Sequence, residues 1–212
     1  MVKLIVFDLD GTLIDSRLDL AGAVNQMRGS MGLEPLATER IVRFVGNGVG
    51  NLVRRAIADG DVDFDEALRR MKSYYAEHLV ETTALYPGVH AGLEELKNAG
   101  ILLAVLSNKP GDASRTILEK LGVAGFFADI VGGDSDYPLK PEPDALNALR
   151  KKYSFDADGC WMVGDHYTDL EAGRRAEFRR IFVTYGFGEK REETPDYTAA
   201  DFPEVVNILR GF

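Results

Sequence analysis

Short apolar runs recur along the chain, separated by stretches with helical spacing. "KLIVF", "ILLAVLS", "ADIVGG", "CWMVG" and "RRIFVTYG" each end at Gly, Ser, Asp or another turn-forming residue. Such brief, continuously apolar runs predict strands buried on both faces. Between them lie "PGVHAGLEELKNAG", "PGDASRTILEKLG", "PEPDALNALRKKY" and "DLEAGRRA". These predict helices, several opened by proline and two closed by glycine. Strand and helix in alternation predict an α/β fold, a doubly wound parallel sheet with helices on both faces.

One region departs from that rhythm. From about Ser16 to Val80 no stretch reads as a strand. Phe64, Leu68, Met71, Tyr75 and Leu79 fall on one helical face. Leu52, Val53, Ala56 and Ile57 form a second such face, and "LDLAGAVNQMRGSMG" predicts a third helix. The expected organisation is a Rossmann-like core over 1–14 and 84–212, with an all-helical cap over 15–83. An insertion at the carboxyl end of a strand overhangs the usual ligand crevice of an open α/β sheet. Leu13–Asp15 and Thr82–Tyr86 are the expected hinges of such a lid.

Composition narrows the partners. The 212 residues suffice for one sizeable core with a smaller unit attached. A net charge of −9 argues against nucleic acid and against an anionic membrane surface, both of which select for basic patches. It leaves room for a small anion in a locally positive pocket. No stretch is long enough to cross a bilayer. The single cysteine, Cys160, forms no intrachain disulfide and reads as a small buried filler. A cytoplasmic protein, monomer or homodimer, is expected.

The chemistry gathers where strands end. Asp8 and Asp10 follow the first apolar run and are succeeded by Gly11 and Thr12. In extended backbone residues i and i+2 share a side, so the two carboxylates face and repel one another. Ser107 and Asn108 follow the second run, Lys140 lies beyond the third, and Gly164-Asp165 closes the fourth with Asp169 four residues on. A parallel sheet delivers all these ends to one edge. Taken alone, Asp-x-Asp-Gly is an ordinary turn, Ser-Asn an ordinary cap and Lys140 an ordinary solvated lysine. Together they set carboxylates, a hydroxyl and an ammonium around one crevice.

"DLDGTL", "LSNK", "LKPEP" and "GDHYTD", in this order, resemble the four motifs of the haloacid dehalogenase-like hydrolase superfamily. "IDSRLDLAGAVNQM", "VGNGVGNLVRRAI" and "GGDSDYPLKPEPDAL" resemble its phosphoglycolate phosphatase branch, whose helical cap occupies the same place. The resemblance implies Asp8 as nucleophile and Asp10 as general acid and base. It implies Ser107, Asn108 and Lys140 as phosphate-binding groups. Mg²⁺ would be held by Asp8 and Asp165 and by the backbone carbonyl of Asp10. Thr12 would position the loop or Asp10. Asp169 would hold metal-bound water or orient Lys140. The implied substrate is a small phosphorylated metabolite, with 2-phosphoglycolate first. A phosphosugar mutase or a nucleotidase or pyrophosphatase of the same superfamily uses the same acids. From another class, a phosphoacceptor signalling domain shares the clustered acids but lacks the opening Asp-x-Asp-Gly-Thr and the lid.

Other residues read as structural. His78 and His90 fall within helical patterns, and His166 reads as a pocket-wall residue, since imidazole suits softer metals. "GNGVGN" at Gly46–Asn51 follows no strand and predicts a lid turn near the substrate rather than a dinucleotide site. Relatives of the resembled family often close the helix after the fourth motif with Ala-Gly, whereas here Glu177-Phe178 follow Ala176.

Overall fold

The computed structural model describes residues 1–212. Its centre is a six-stranded, all-parallel sheet in the order β5-β4-β1-β6-β7-β8. The strands are β1 (Leu4–Phe7), β4 (Leu102–Leu106), β5 (Asp129–Val131), β6 (Cys160–Gly164), β7 (Arg179–Val183) and β8 (Tyr197–Ala199). The five apolar runs supply the first five. β8 is three residues long and exposes two of them, Tyr197 and Thr198, so it leaves no apolar run to find.

Alternation along β1 divides the core. Ile5 and Phe7 point into a large cluster with Leu103, Val105, Trp161 and Val163. Leu4 and Val6 point into a smaller one with Ala104, Leu106, Cys160 and Met162. α5 (Val89–Asn98), α6 (Gly111–Lys120) and α9 (Phe202–Arg210) contribute to the first cluster. α7 (Asp144–Lys152) and α8 (Tyr167–Arg175) cover the second. Each helix is there because its apolar positions recur on one face. In α9 these are Phe202, Val205, Val206 and Leu209, with the Asp201 side chain capping Glu204 N at 2.8 Å. The strand-and-helix pattern omits α9, although its cap and spacing were both present in the sequence.

Four helices stand between β2 (Ile14–Asp15) and β3 (Ala84–Leu85): α1 (Arg17–Ser30), α2 (Thr38–Val42), α3 (Val49–Ala56) and α4 (Phe64–Glu77). Three of them match the expected helical faces, and α2 is additional. β2 and β3 pair antiparallel, Ile14 with Leu85 and Asp15 with Ala84. The chain therefore leaves and re-enters through a ribbon two residues long on each side. The Asp19 carboxylate reinforces it, accepting from the amides of Glu81, Thr82 and Thr83 and from both threonine hydroxyls at 2.6–3.1 Å. Within the helical unit, buried Arg28 pairs with Asp59 at 2.8 Å and donates to the carbonyl oxygens of Glu34 and Ala56. No helix is long and apolar enough to cross a membrane.

Candidate active site

β1 lies between β4 and β6, where the strand order reverses direction. Crevices at such points are the usual ligand sites of open α/β sheets. Asp8 follows β1 directly, and its amide donates to Val163 O of β6 at 2.9 Å. Its Oδ1 accepts from Lys140 Nζ at 2.8 Å. The same ammonium donates to Leu106 O at 2.7 Å and stands 2.7 Å from Asp169 Oδ1. Lys140 is therefore the buried hub of two carboxylates and a strand-end carbonyl. Burial opposes its charge, but Asp169 and Asp8 together hold its pKa above the usual lysine range.

Asp165, at the end of β6, faces this group. Thr12 Oγ1 donates to its Oδ1 at 3.2 Å, and the amides of Phe187 and Gly188 donate to its Oδ2 at 3.0 and 2.8 Å. The backbone closes tightly around it. Gly11 sits at φ +85°, where a Cβ would lie 2.0 Å from Asp165 Oδ2, so only glycine fits. Thr12 thus serves Asp165, whereas the expectation placed it on the loop or on Asp10.

Carboxyl oxygens of Asp8, Asp165 and Asp169 lie within 4.8 Å of one another, all buried. One lysine stands among three acids. Desolvation, joined by the other acids, pushes Asp8 up to about 6 even with Lys140 beside it. Desolvation and the charges of Asp8 and Asp169 push Asp165 well above the usual carboxylate range. Asp169 Oδ1 is buried and, beyond its ionic contact with Lys140, makes no hydrogen bond. A buried all-oxygen donor set with excess negative charge fits a hard divalent cation.

Asp10 turns away from this cluster. Its two carboxylate oxygens accept from Lys109 Nζ, at 2.7 and 2.8 Å, and Oδ1 also accepts from Ser16 Oγ at 2.5 Å. Its side chain is accordingly absent from the three-acid group, and Asp169 stands there instead. Neither Lys109 nor Ser16 was singled out from the sequence. Lys109 closes the quoted "LSNK", so its position beside Ser107 and Asn108 was the available signal.

Ser107 is buried at the end of β4, its Oγ accepting from Lys109 N at 3.3 Å. The Asn108 side chain is already occupied. Its Oδ1 accepts from Lys140 N, and its Nδ2 donates to Lys140 O and to Gly46 O of the helical unit, all at 2.8–2.9 Å. Asn47 Nδ2 makes a second crossing, donating to Tyr167 Oη at 2.8 Å. His166 caps α8, its Nδ1 accepting from Thr168 N while Asp169 Oδ2 accepts from His166 N. Burial drives this imidazole down to about 4, so it is neutral. Its ring lies where a side chain on Gly46 would have to be. Together the sheet edge and α1–α4 form a half-open cavity of about 840 Å³ that Asp8, Asp10, Lys140, Asp165 and His166 all line.

The model of the family described as haloacid dehalogenase-like hydrolase matches residues 5–183, most of the chain. The chain belongs to the haloacid dehalogenase-like hydrolases. Within them it falls in the phosphoglycolate phosphatase-like branch and is a phosphoric monoester hydrolase. It is 36% identical to the phosphoglycolate phosphatase of Vibrio parahaemolyticus, covering 98% of this chain and 96% of that one. It is likewise 36% identical to that of Neisseria meningitidis, over 99% of this chain and 94% of the relative. Among solved structures, a predicted phosphoglycolate phosphatase from Haemophilus somnus superposes with a TM-score of 0.94 at 32% identity, covering 98% and 97% of the two chains. This hydrolase therefore shares its fold with that branch and resembles its members along nearly the whole sequence.

Proposed function

We propose that this hydrolase removes phosphate from a small phosphomonoester, 2-phosphoglycolate first among candidates, with Mg²⁺ and through an aspartyl-phosphate at Asp8. The relatives' names carry the choice of substrate to this chain. The observation that carries the mechanism is Lys140 Nζ held 2.8 Å from Asp8 and 2.7 Å from Asp169, with Asp165 alongside.

In this reading Asp8 Oδ bonds to phosphorus as the bond from phosphorus to the alkoxide oxygen breaks. Asp10 gives its proton to that oxygen, then takes one from the water that attacks phosphorus and frees Asp8. Splitting the displacement in two lowers each barrier. Lys109 and Ser16 keep the Asp10 carboxyl oriented. Lys140, the Ser107 hydroxyl and the Asn108 backbone amide meet the phosphate oxygens. Asp8 and Asp165, with the carbonyl of Asp10, would hold Mg²⁺, which supplies positive charge against the transferring phosphoryl group. Asp169 keeps Lys140 in place, and Thr12 keeps Asp165. The 15–83 segment acts as the cap over the 1–14 and 84–212 core, and the cytoplasm is the expected compartment.

The test is phosphate release by the purified protein, with and without Mg²⁺, from a panel of small phosphomonoesters. Release from 2-phosphoglycolate that requires Mg²⁺ and falls at least about a thousandfold in Asp8→Asn is expected, since removal of a nucleophile leaves only residual binding effects. Undiminished activity in Asp8→Asn removes the proposed nucleophile. Interconversion of sugar phosphates without net release favours the mutase reading.

A further inference from the structure

The cavity under the helical unit holds several cations, and they differ in what they are free to do. Lys140 stands against Asp8, Asp169 and Leu106 O and is the cation assigned above to the phosphate, not to the leaving group. Arg55 donates to Phe44 O and to Asn47 Oδ1. Arg54 lies 4.2 Å from the Phe64 ring centroid, and Arg191 lies 3.7 Å from that of Tyr167. Arg43 and Lys72 are exposed and free to turn to water.

Lys109 is different. It is 8% exposed, and two of its three ammonium protons go to Asp10. The Nζ stands 4.7 Å from the ring centroid of Tyr75, on α4. Tyr75 is also 8% exposed, and its hydroxyl is buried with no hydrogen-bond partner. A buried hydroxyl without a partner costs free energy that a bound acceptor would recover. The two groups and Asp10 line one wall of the same cavity.

We propose that Lys109 and the Tyr75 hydroxyl form the subsite for an acidic leaving group, accepting the carboxylate of a short phosphorylated hydroxy acid and disfavouring neutral phosphate esters. This rests on the phosphatase reading given above. If Asp10 is to protonate the departing oxygen, that oxygen lies against Asp10. In a two-carbon hydroxy acid the carboxylate carbon is about two covalent bonds from it. Lys109, hydrogen-bonded to Asp10, is then the nearest cation the carboxylate can meet. Tyr75 comes from the helical unit and Lys109 from the sheet edge, so an acidic substrate would also join the two.

The experiment compares kcat/KM for 2-phosphoglycolate and for ethyl phosphate, which has the same length and no carboxylate. Wild type, Lys109→Met and Tyr75→Phe are measured with Mg²⁺ present. The preference for the acid is expected to fall about tenfold or more both in Lys109→Met, which removes an ion pair to the carboxylate, and in Tyr75→Phe, which removes a hydrogen bond to that ionised acceptor. An equal loss on both substrates, with the preference intact, overturns the subsite and leaves Lys109 only as a support for Asp10. A wild-type enzyme without preference overturns the subsite and the choice of 2-phosphoglycolate together. Should Lys109→Met fail to fold, Tyr75→Phe decides alone, because it keeps the ring over Lys109 and removes only the hydroxyl.

Discussion

Glu177 sits at φ +61°, directly after α8. Its amide donates to Arg174 O at 3.2 Å, and the next amide, of Phe178, donates to Gly173 O at 2.9 Å. These paired bonds form a Schellman closure, whose left-handed residue is usually glycine. The unusual Glu177-Phe178 after Ala176 therefore keeps the geometry of an Ala-Gly ending and accepts strain for it, while Phe178 is buried in the smaller core. Glu177 is exposed and carries no ion pair, so Glu177→Gly is expected to stabilise the protein by about 1 kcal/mol. A rise in the urea midpoint checks this, and a fall would mean that the added freedom of the unfolded chain outweighs the relieved strain. At this scale the sequence was uneven. Asp8 and Asp165 were legible because each directly follows an apolar run, and Lys140 and Asp169 through their place in the ordered motifs "LKPEP" and "GDHYTD". Lys109 and Tyr75 were not, because one looked like a loop lysine and the other like one more apolar position on a helical stripe. Only packing brings them within reach of each other.

Between elements, the β2–β3 ribbon is only two residue pairs long, and Asp19 at the start of α1 reinforces it. Burial opposes its charge, yet the Thr82 and Thr83 hydroxyls and amides hold its pKa below the usual carboxylate range. Asp19→Ala strips those donors of their acceptor. The expected cost is roughly 2–4 kcal/mol, more than one hydrogen bond because several donors lose their partner together. Amide exchange should quicken at Glu81–Thr83 well before it does in β1, which the sheet flanks on both sides. Uniform quickening across both would show that the carboxylate supports the whole fold rather than the neck. The core strands and the helices α5–α8 were readable from periodicity because each needs a long enough apolar pattern to be buried. α2 and β8 are too short to carry a period. α9 does carry one, with an acidic cap and proline near its start, so its signal is present in the sequence.

For the molecule as a whole, the three-acid cluster ties stability to pH and to divalent ions. Asp8 is raised to about 6 by burial, with Asp165 raised too, against an unfolded value near 3.8. The folded protein thus binds protons that the unfolded chain has released. The stability this linkage contributes is present below about pH 4 and is lost as pH rises through about 6, an effect on the order of 3 kcal/mol from Asp8. In a chelator, the melting temperature of wild type relative to Asp8→Asn should therefore fall between pH 4.5 and 7. Mg²⁺ should restore wild type far more at pH 7 than at pH 4.5. A difference that does not change with pH would mean that the acids are already neutralised within the fold. The helical roof above them has one more consequence. A cavity of about 840 Å³ is far roomier than a two-carbon phosphate ester, so it has space for water beside the guest. Any acyl phosphate formed there would then be open to water, with partition decided by occupancy: hydrolysis is the default fate, and only a competitor abundant enough to fill that space could carry the phosphoryl group elsewhere.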